Sequence, residues 1–534
     1  MTITRYAPAG AVAAASHLAA EAGLRMLQRG GNAADAAIAA AAAMAVVAPH
    51  MCGLGGDLFA LVAGGPAGRP AGWAAGTAAP AALNASGRAG SGADPDRLRA
   101  EGARAMPFTG DVRSVTLPGC VDGLTALHER FGTLSLPALL APARRLADEG
   151  FPVSPTLAAA SAELGPAERA LAFGAPEPLV AGRRLRVRGV GEALRAVAAH
   201  GRAGFYEGPV GAGILAAGAG EFTPADLRTP QADWVEPLAL PVFGRTLWTA
   251  PPNSQGYLAL ASAWIAGQAG IPAGPGDERW AFGLAEAARQ AAFDRQAVLH
   301  EHADGRELTG AARLRPRAAA LAERASRGLA DVYGDGGTTA VCAVDGERRG
   351  VSLIMSNAAD FGSRLVLPGH GIFLHNRGMG FSLEPGHPAG YRPGARPPHT
   401  LAPVAVTDQA GTLDTVLGTM GGDAQPQVLL QLLVRTLVHG QDPGEAIAAP
   451  RWVLSREPTT AFDTWDLDAP PLVRLEHDAP AAWSRGLRAR GFEAVASPPG
   501  DQSFGHAQLI RVTRDDMLAG AADPRTGDGA FAGW

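Results

Sequence analysis

The residue best suited to chemistry in this sequence carries a hydroxyl group and follows directly after two glycines. Gly336 and Gly337 precede Thr338, which opens a segment of alternating apolar residues at 338–344. The glycines leave the carbonyl before Thr338 sterically open, so that the Thr338 hydroxyl could attack it and cut the chain. The new terminal threonine would carry its own base, an α-amino group with an ordinary pKa of about 7.7–8.0. On spacing alone, the same pattern is also typical of an ordinary turn.

Strands and turns are the elements that would position this hydroxyl. The alternation over 338–344, the turn residues Asp345 and Gly346, and a second apolar segment at 350–356 predict a β-hairpin. Asn32 is placed to cap a buried, alanine-rich helix. A further strand is predicted at 413–417, and helices are predicted at 17–28, 35–47, 278–299 and 427–439.

Composition excludes several classes of protein. The chain has 534 residues, a formal net charge of −5 and no visible basic patch, so we expect no nucleic-acid partner. All 46 basic residues are arginine, and the lack of lysine excludes a Schiff-base lysine, a Ser–Lys dyad and a Walker A phosphate loop. Hydrophobic residues make up 47% of the chain, which is sufficient for a folded core.

Neither a membrane segment nor a cofactor or metal site is predicted. The longest apolar run, 36–48, is shorter than the roughly 20 residues that a spanning helix needs. The first residues lack a basic segment followed by an apolar core, so we expect a cytoplasmic protein with no membrane partner. Cys52, Cys120 and Cys342 lie too far apart in sequence for a disulfide framework or a cysteine-rich zinc site.

Seven blocks of sequence, spread over almost the whole chain, carry a family resemblance. The blocks are ASHLAAEAGLRMLQRGGNAADAAIAAAAAMAVVAPHMCGLGGDLFALV, TLPGCVDGL, FGTLSLPALLAPARRLADEGFPVS, TTAVCAVD with GVSLIMSNAADFGS, GIFLHNRGMGFS, PGARPPHTLAPV and LGTMGGDAQPQVLLQLLVRTLVHGQDPGEAIAAPRW. Together and in this order, they resemble the γ-glutamyltransferase family of N-terminal-nucleophile hydrolases.

The resemblance implies a fold and a processing step. The implied fold is α+β, an αββα four-layer sandwich in which helices cover two stacked sheets. The implied processing is self-cleavage between Gly337 and Thr338. It would yield a large subunit of residues 1–337 and a small subunit of residues 338–534 from one precursor, intertwined in a single domain.

The resemblance also implies roles for particular residues. Thr338 Oγ would be the nucleophile and its α-amino group the general base, with no cofactor. The backbone N–H groups of Gly421 and Gly422 would form the oxyanion hole, because paired glycines after a strand can expose their amides to developing negative charge. Asn357, with Ser356 beside it, would orient the nucleophile.

Two departures from the family concern the substrate's charge. The family's acidic stretch, which holds the α-ammonium group of a γ-glutamyl substrate, is replaced by Arg377 and the uncharged residues 378–380. The family's arginine for the α-carboxylate falls near 76–79, where this chain has none. These changes resemble a divergent branch that contains oxamate amidohydrolase-like proteins. Since an arginine in place of an acid inverts the preferred charge, we predict a small-molecule acidic substrate, such as an oxalyl-type or short dicarboxylic half-amide.

Other residues of the blocks also differ from the family. His399 and Thr400 replace its paired serines, and Asp423 follows the glycine pair. Asp35 and Asp57, in the first block, are expected to be structural hydrogen-bonding residues. The candidate substrate-binding residues are Arg377, His399, Thr400, Ser356 and Asp423.

Four interpretations follow from these residues. We favour a self-processing hydrolase that cleaves the amide of a small acidic acyl group through a threonyl acyl-enzyme. The alternatives are a C–C bond hydrolase that releases an oxalyl-type fragment, a γ-glutamyl transferase or hydrolase, and an inactive homologue that binds a small acid. Hydrolysis and transfer to an amine use the same nucleophile, so the residues leave that choice open.

Overall fold

Two antiparallel sheets of seven strands each lie at the centre of the fold. The computed structural model describes residues 3–64, 79–218, 220–321, 336–455 and 472–534. The first sheet contains, in spatial order, β1 (Arg5–Ala7), β20 (Leu518–Ala522), β19 (Ala507–Val512), β15 (Leu413–Thr419), β14 (Val404–Thr407), β9 (Arg245–Thr249) and β8 (Leu238–Val242). The second sheet contains β21 (Ala530–Gly533), β2 (Ala11–Ala14), β10 (Gly336–Val344), β11 (Gly350–Ala359), β3 (Asp57–Ala63), β4 (Ala81–Ala85) and β7 (Asp233–Val235).

Helices cover the outer faces of both sheets. The helices of the first half of the chain are α1 (His17–Gln28), α2 (Ala33–Val47), α3 (Pro95–Ala100), α4 (Cys120–Phe131), α5 (Leu136–Glu149), α6 (Pro155–Ala162), α7 (Pro166–Phe173), α8 (Arg188–His200), α9 (Arg202–Tyr206), α10 (Pro209–Ala217) and α11 (Pro224–Arg228). Those that follow are α12 (Tyr257–Ala269), α13 (Glu278–Ala292), α14 (Arg295–Val298), α15 (Gly305–Thr309), α16 (Ala311–Ala319), α17 (Gln425–Leu433), α18 (Pro443–Ala448) and α19 (Ala481–Ala489).

The packing of these helices gives four layers. Helices α1, α2 and α4 lie on the second sheet, and α12, α17 and α18 lie on the first. The inner faces of the two sheets meet in an apolar layer that includes Ala340, Ile354 and Leu401. The αββα four-layer sandwich implied by the sequence is therefore confirmed.

Helix α2 begins at the residue that the sequence predicts. Asn32 Oδ1 accepts hydrogen bonds from the N–H groups of Ala34 (2.8 Å) and Asp35 (3.0 Å), and Asp35 Oδ2 accepts one from Asn32 N–H at 3.0 Å. This reciprocal capping satisfies amides that the helix itself cannot pair. All 15 residues of α2 are buried, as expected for an alanine-rich helix that neighbouring elements approach closely. The structural role expected for Asp35 is confirmed.

Two predicted helices differ from the observed ones near their ends. The predicted helix 278–299 is wrong as a single element, because it is divided into α13 and α14. Asp294, between them, accepts hydrogen bonds from Arg313 at 2.8 Å and Arg317 at 2.6 Å, which fix it outside a continuous helix. The predicted helix 427–439 forms as α17 followed by a wider π-helical turn.

Smaller sheets complete the structure. They pair β5 (Phe151–Pro152) with β6 (Arg184–Leu185), β12 (Val366–Leu367) with β13 (Ile372–Phe373), and β16 (Trp452–Ser455) with β17 (Leu472–Leu475) and β18 (Glu493–Ala496). Within the described ranges, no helix is both long enough and apolar enough to cross a membrane.

Candidate active site

Three polar side chains lie side by side on neighbouring central strands of the second sheet. Thr338 on β10 is paired with Ser356 on β11, and Ser356 is paired with Asp57 on β3. Directly paired residues of antiparallel strands point to the same face of a sheet. For these three it is the inner face, because Ala340, two residues after Thr338, packs in the apolar layer between the sheets. Thr338 is only 1% exposed.

The hydroxyl of Ser356 connects Thr338 to the carbonyl that precedes it. Ser356 Oγ donates a hydrogen bond to Gly337 O at 2.6 Å and lies 2.9 Å from Thr338 Oγ1. A serine hydroxyl has one proton, and that proton is committed to Gly337 O, so Thr338 must be the donor in the hydroxyl pair. The lone pairs of Thr338 Oγ1 are thereby left available for attack. The Gly337 carbonyl is polarised by the same serine.

The backbone around the Gly337–Thr338 bond is irregular. The pairing of β10 with β11 shifts register between Gly337 and Thr338. A Cβ atom on Gly337 would lie 2.5 Å from the carbonyl oxygen of His50, so this position has no room for a side chain. On the facing strand, Ala358 adopts a left-handed φ of 75°, and its N–H donates to Ser356 Oγ at 2.8 Å. The scissile bond predicted from sequence thus lies at a bulge.

Asn357 lies beside Ser356 in sequence but its side chain takes a different direction. Its Nδ2 donates to Pro49 O at 3.0 Å, and its backbone N–H donates to Met51 O at 3.1 Å. Successive residues of a strand point to opposite faces, which separates Asn357 from the inner face that carries Thr338. The contact with Thr338 is made by Ser356, and the orienting role of Asn357 stays a prediction without such a contact.

The glycine pair after β15 has the backbone freedom that its predicted role requires. Gly421 and Gly422 have φ values of 138° and 52°, a region that favours glycine. Among the described residues, neither N–H donates a hydrogen bond to another protein group. Two amides without a protein partner among the described residues are suited to hold an oxyanion, and the turn that begins at Gly422 packs against β10, the strand of Thr338.

Arg377 and Thr400 come together near this glycine pair. Arg377 is 2% exposed, and its Nη1 donates to Thr400 Oγ1 at 3.3 Å. Asp423, directly after Gly422, accepts a hydrogen bond from Arg295 Nη2 at 2.8 Å. Burial raises the pKa of the Asp423 carboxyl above its ordinary value despite the nearby charges of Arg295 and Arg377. The structure therefore unites three of the predicted substrate-binding residues in one buried, charged cluster.

Gln255 and Arg295 belong to the same cluster, and sequence reasoning missed both. Gln255 Nε2 donates to the carbonyl oxygens of Thr400 and Gly422, each at 3.0 Å, and its Oε1 accepts from Arg295 Nε at 3.1 Å. One side chain thus fixes the Thr400 segment against the glycine pair. No local sequence signal marks Gln255, because its partners lie 145 and 167 residues further along the chain.

The imidazole of His399 pairs with Asp57. His399 Nε2 lies 3.1 Å from Asp57 Oδ2, and Leu401 N–H donates to His399 Nδ1 at 3.3 Å. The Leu401 contact assigns the ring proton to Nε2, so both ring nitrogens already have protein partners. Burial lowers the pKa of His399 to about 4, which keeps the ring neutral at pH 7. Substrate binding by His399 stays a prediction, and the structure gives its imidazole a positioning contact with Asp57.

One part of the predicted site falls outside the structure described. The sequence comparison predicts that the family's carboxylate-binding arginine would fall near 76–79, where this chain has no arginine. Residues 76–78 of this segment lie outside the described residues.

Comparison with known proteins identifies the family. The model of the family described as Gamma-glutamyltranspeptidase matches residues 19–533. The "Glutathione hydrolase-like YwrD proenzyme" of Bacillus subtilis (strain 168) is 33% identical, with 97% of each chain covered. The "Oxamate amidohydrolase proenzyme" of Klebsiella pneumoniae is 34% identical, with 98% of each chain covered. A solved cephalosporin acylase from Bacillus halodurans is 31% identical with a TM-score of 0.88, covering 100% of this chain and 97% of that one. This chain therefore belongs to the γ-glutamyltranspeptidase family of hydrolases and acylases.

Proposed function

We propose that this protein is a self-processing hydrolase with Thr338 as its nucleophile. It cuts its own chain before Thr338 and then cleaves the amide of a small acidic acyl group through an ester on the Thr338 hydroxyl. The observation that carries the proposal is the hydrogen-bonded chain from Thr338 Oγ1 through Ser356 Oγ to Gly337 O, at 2.9 and 2.6 Å. One serine hydroxyl thus contacts both the attacking oxygen of Thr338 and the carbonyl oxygen of Gly337, whose carbon is attacked.

Self-cleavage begins with attack by Thr338 Oγ1 on the carbonyl carbon of Gly337. The new C–O bond forms as the C–N bond breaks, and the hydroxyl proton ends on the nitrogen of Thr338. Negative charge develops on Gly337 O, where the Ser356 hydroxyl already donates. Water then hydrolyses the ester, which leaves a carboxylate on Gly337 and a free α-amino group on Thr338.

Substrate cleavage repeats this chemistry with a bound amide. Thr338 Oγ1 attacks the amide carbonyl, the α-amino group accepts the hydroxyl proton, and that proton passes to the leaving amine. The N–H groups of Gly421 and Gly422, which have no partner among the described residues, would receive the oxyanion. Water releases the acid from the ester and restores Thr338.

The charge of the cluster supports an anionic acyl group. Arg377 is a buried guanidinium held by Thr400, and residues 378–380 are uncharged. A guanidinium binds a carboxylate with two parallel hydrogen bonds, whereas a γ-glutamyl ammonium group would need an acid at this place. The similarity to an oxamate amidohydrolase also supports a preference for an anionic acyl group.

The first experiment tests processing. On a denaturing gel, purified protein should give two bands in place of the 54.4 kDa chain, and Thr338→Ala should remain whole. Since the chain has no lysine, its primary amines are confined to chain termini, so labelling with an amine reagent should mark the small subunit at Thr338 only after cleavage. An active, uncleaved wild-type chain would refute the nucleophile.

The second experiment tests the substrate class. We expect processed enzyme to hydrolyse oxamate-type half-amides in preference to γ-glutamyl anilides. Product analysis with and without an acceptor amine separates hydrolysis from transfer. Efficient turnover of γ-glutamyl anilides with negligible turnover of oxamate-type amides would refute the anionic acyl group while leaving the nucleophile intact.

A further inference from the structure

We propose that the carboxylate of Asp57 is an electrostatic partner of the Thr338 α-amino group and raises its affinity for a proton. The inference rests on the proposed function, because the amine exists only after cleavage. It gives Asp57 a role beyond the structural hydrogen bonding expected from sequence. Asp57 would be a positioning residue for the base of the reaction rather than a group that touches the substrate.

The first argument is the register of the strands. Thr338 pairs with Ser356 and Ser356 pairs with Asp57, so the three residues form one row across β10, β11 and β3. Neighbouring strands are about 4.8 Å apart, which places Asp57 roughly 10 Å from Thr338 on the same face. The side chain between them, Ser356, is uncharged. No charged side chain therefore stands in the row between carboxylate and amine.

The second argument is that several hydrogen-bond donors hold the Asp57 carboxylate. Its Oδ1 accepts hydrogen bonds from the N–H groups of Gly87 at 2.9 Å and Gly119 at 3.2 Å. Its Oδ2 lies 3.1 Å from His399 Nε2 and 3.6 Å from His375 Nδ1. Burial alone would raise the pKa of Asp57, but His375, His399 and the Gly87 amide outweigh it and hold the pKa below its ordinary value.

The third argument is that, among the described residues, no arginine forms an ion pair with Asp57. In the part of the chain that the structure describes, only His375 and His399 lie within 4.0 Å of Asp57 as ion-pair partners. His399 is neutral at pH 7 because burial lowers its pKa to about 4. His375 Nε2 donates to Thr116 O at 2.8 Å, and its Nδ1 accepts from Arg377 N–H at 3.4 Å, so both ring nitrogens have hydrogen-bond partners other than Asp57.

Other titratable groups surround the site and have to be included. Three guanidinium groups nearby would lower the proton affinity of an amine, and one further carboxyl, when ionised, would act with Asp57. Buried neutral groups contribute no charge. The guanidinium groups are those of Arg295, Arg377 and Arg396, the carboxyl is that of Asp423, which is paired with Arg295, and the neutral groups are Cys120, His50 and His506; His375 and His399 contact Asp57 itself.

The consequence concerns how well the amine serves as a base. Burial lowers the pKa of an amine, whereas a general base works best with a pKa near the working pH. At roughly 10 Å and an effective dielectric constant of about 20, one carboxylate shifts the titration of the amine by about one pH unit. Asp57 thus acts against burial and the neighbouring arginines, which lower the pKa of the amine.

The lack of lysine allows a direct measurement. Cyanate is small and carbamylates unprotonated amines, so the mass of the carbamylated small subunit reports only the Thr338 amine. We expect the pH midpoint of this reaction, and of kcat/KM, to fall by about one unit in Asp57→Asn and to be retained in Asp57→Glu.

Asp345→Asn is the matched control. Asp345 is also a buried carboxylate, but it follows the opposite end of β10, where it accepts from Arg349 Nε at 2.7 Å. Asp345 lies seven residue steps along the chain from Thr338, roughly 23 Å, so removal of its charge should leave the midpoint unchanged.

The outcomes separate this inference from the proposed function. A cleaved Asp57→Asn chain with the wild-type midpoint overturns the role of Asp57 and leaves the nucleophile standing. A wild-type chain without a new amine overturns both. If Asp57→Asn fails to fold or cleave, the pH midpoint for carbamylation of the wild-type Thr338 amine tests the inference instead. A value at or above about 7.7 supports the inference, and a value well below 7, as burial alone would give, overturns it.

Discussion

Replacing Ser356 by alanine is the sharpest test of the processing geometry. The serine hydroxyl donates to Gly337 O at 2.6 Å, lies 2.9 Å from Thr338 Oγ1 and accepts from Ala358 N–H at 2.8 Å. The Ser356→Ala chain keeps the strand but loses all three contacts. The rate of self-cleavage in this variant therefore measures how much the hydrogen bond to the scissile carbonyl contributes to processing.

The expected size of the effect follows from known donors of this kind. Loss of one donor to a developing oxyanion slows a reaction by about 100- to 1,000-fold. Loss of the hydroxyl also leaves buried backbone groups at Gly337 and Ala358 without this partner, which costs about 1–3 kcal/mol of folding free energy. The variant should thus be less stable and much slower to cleave, and the two effects have to be measured separately.

The assay follows the conversion of the full-length band over time, with thermal melting recorded in parallel. Ser352→Ala is the matched control, because Ser352 lies on the same strand and face, is equally buried, and donates to Leu417 O at 2.8 Å. It should lose stability while cleaving at the wild-type rate, and Ser356→Thr should retain cleavage. If Ser356→Ala cleaves as fast as Ser352→Ala, the Ser356 donor has no part in processing.

Two further predictions concern charge. Arg377→Ala should lower kcat/KM for an oxamate-type amide by about 10- to 100-fold, because a charged hydrogen bond is lost. The control Arg364→Ala, at a partly exposed arginine whose Nη1 donates to Glu163 O, should leave kcat/KM unchanged. An equal loss of kcat/KM on a neutral amide would contradict charge recognition. Burial lowers the pKa of His50 to about 3 and of His506 to about 4, so between pH 6.5 and 4 only the unfolded chain binds these protons. The free energy of unfolding should therefore fall as pH drops, by up to about 1.4 kcal/mol per pH unit for each histidine. Denaturant titrations at several pH values measure this dependence, and the free energy of unfolding of His506→Gln should fall less steeply with decreasing pH than that of the wild type.

Local patterns in the sequence predicted local structure well. Helix α1 has the predicted bounds, and the cap at Asn32 forms as expected because its partners are two and three residues away. The predicted helix 278–299 was wrong at Asp294, whose arginine partners come 19 and 23 residues later. Propensity within a window does not include such contacts, so element boundaries are decided by tertiary packing.

The sequence by itself determined that Thr338 follows a glycine pair at a strand start, that the chain has no lysine, and that Arg377 stands where an acid is usual. Only the tertiary structure decided which neighbours serve these residues. Ser356 rather than Asn357 contacts Thr338, because successive strand residues face opposite sides of the sheet. Asp57 joins the same row through strand pairing between residues almost 300 apart, and such register is set by the packing of whole sheets rather than by any local pattern.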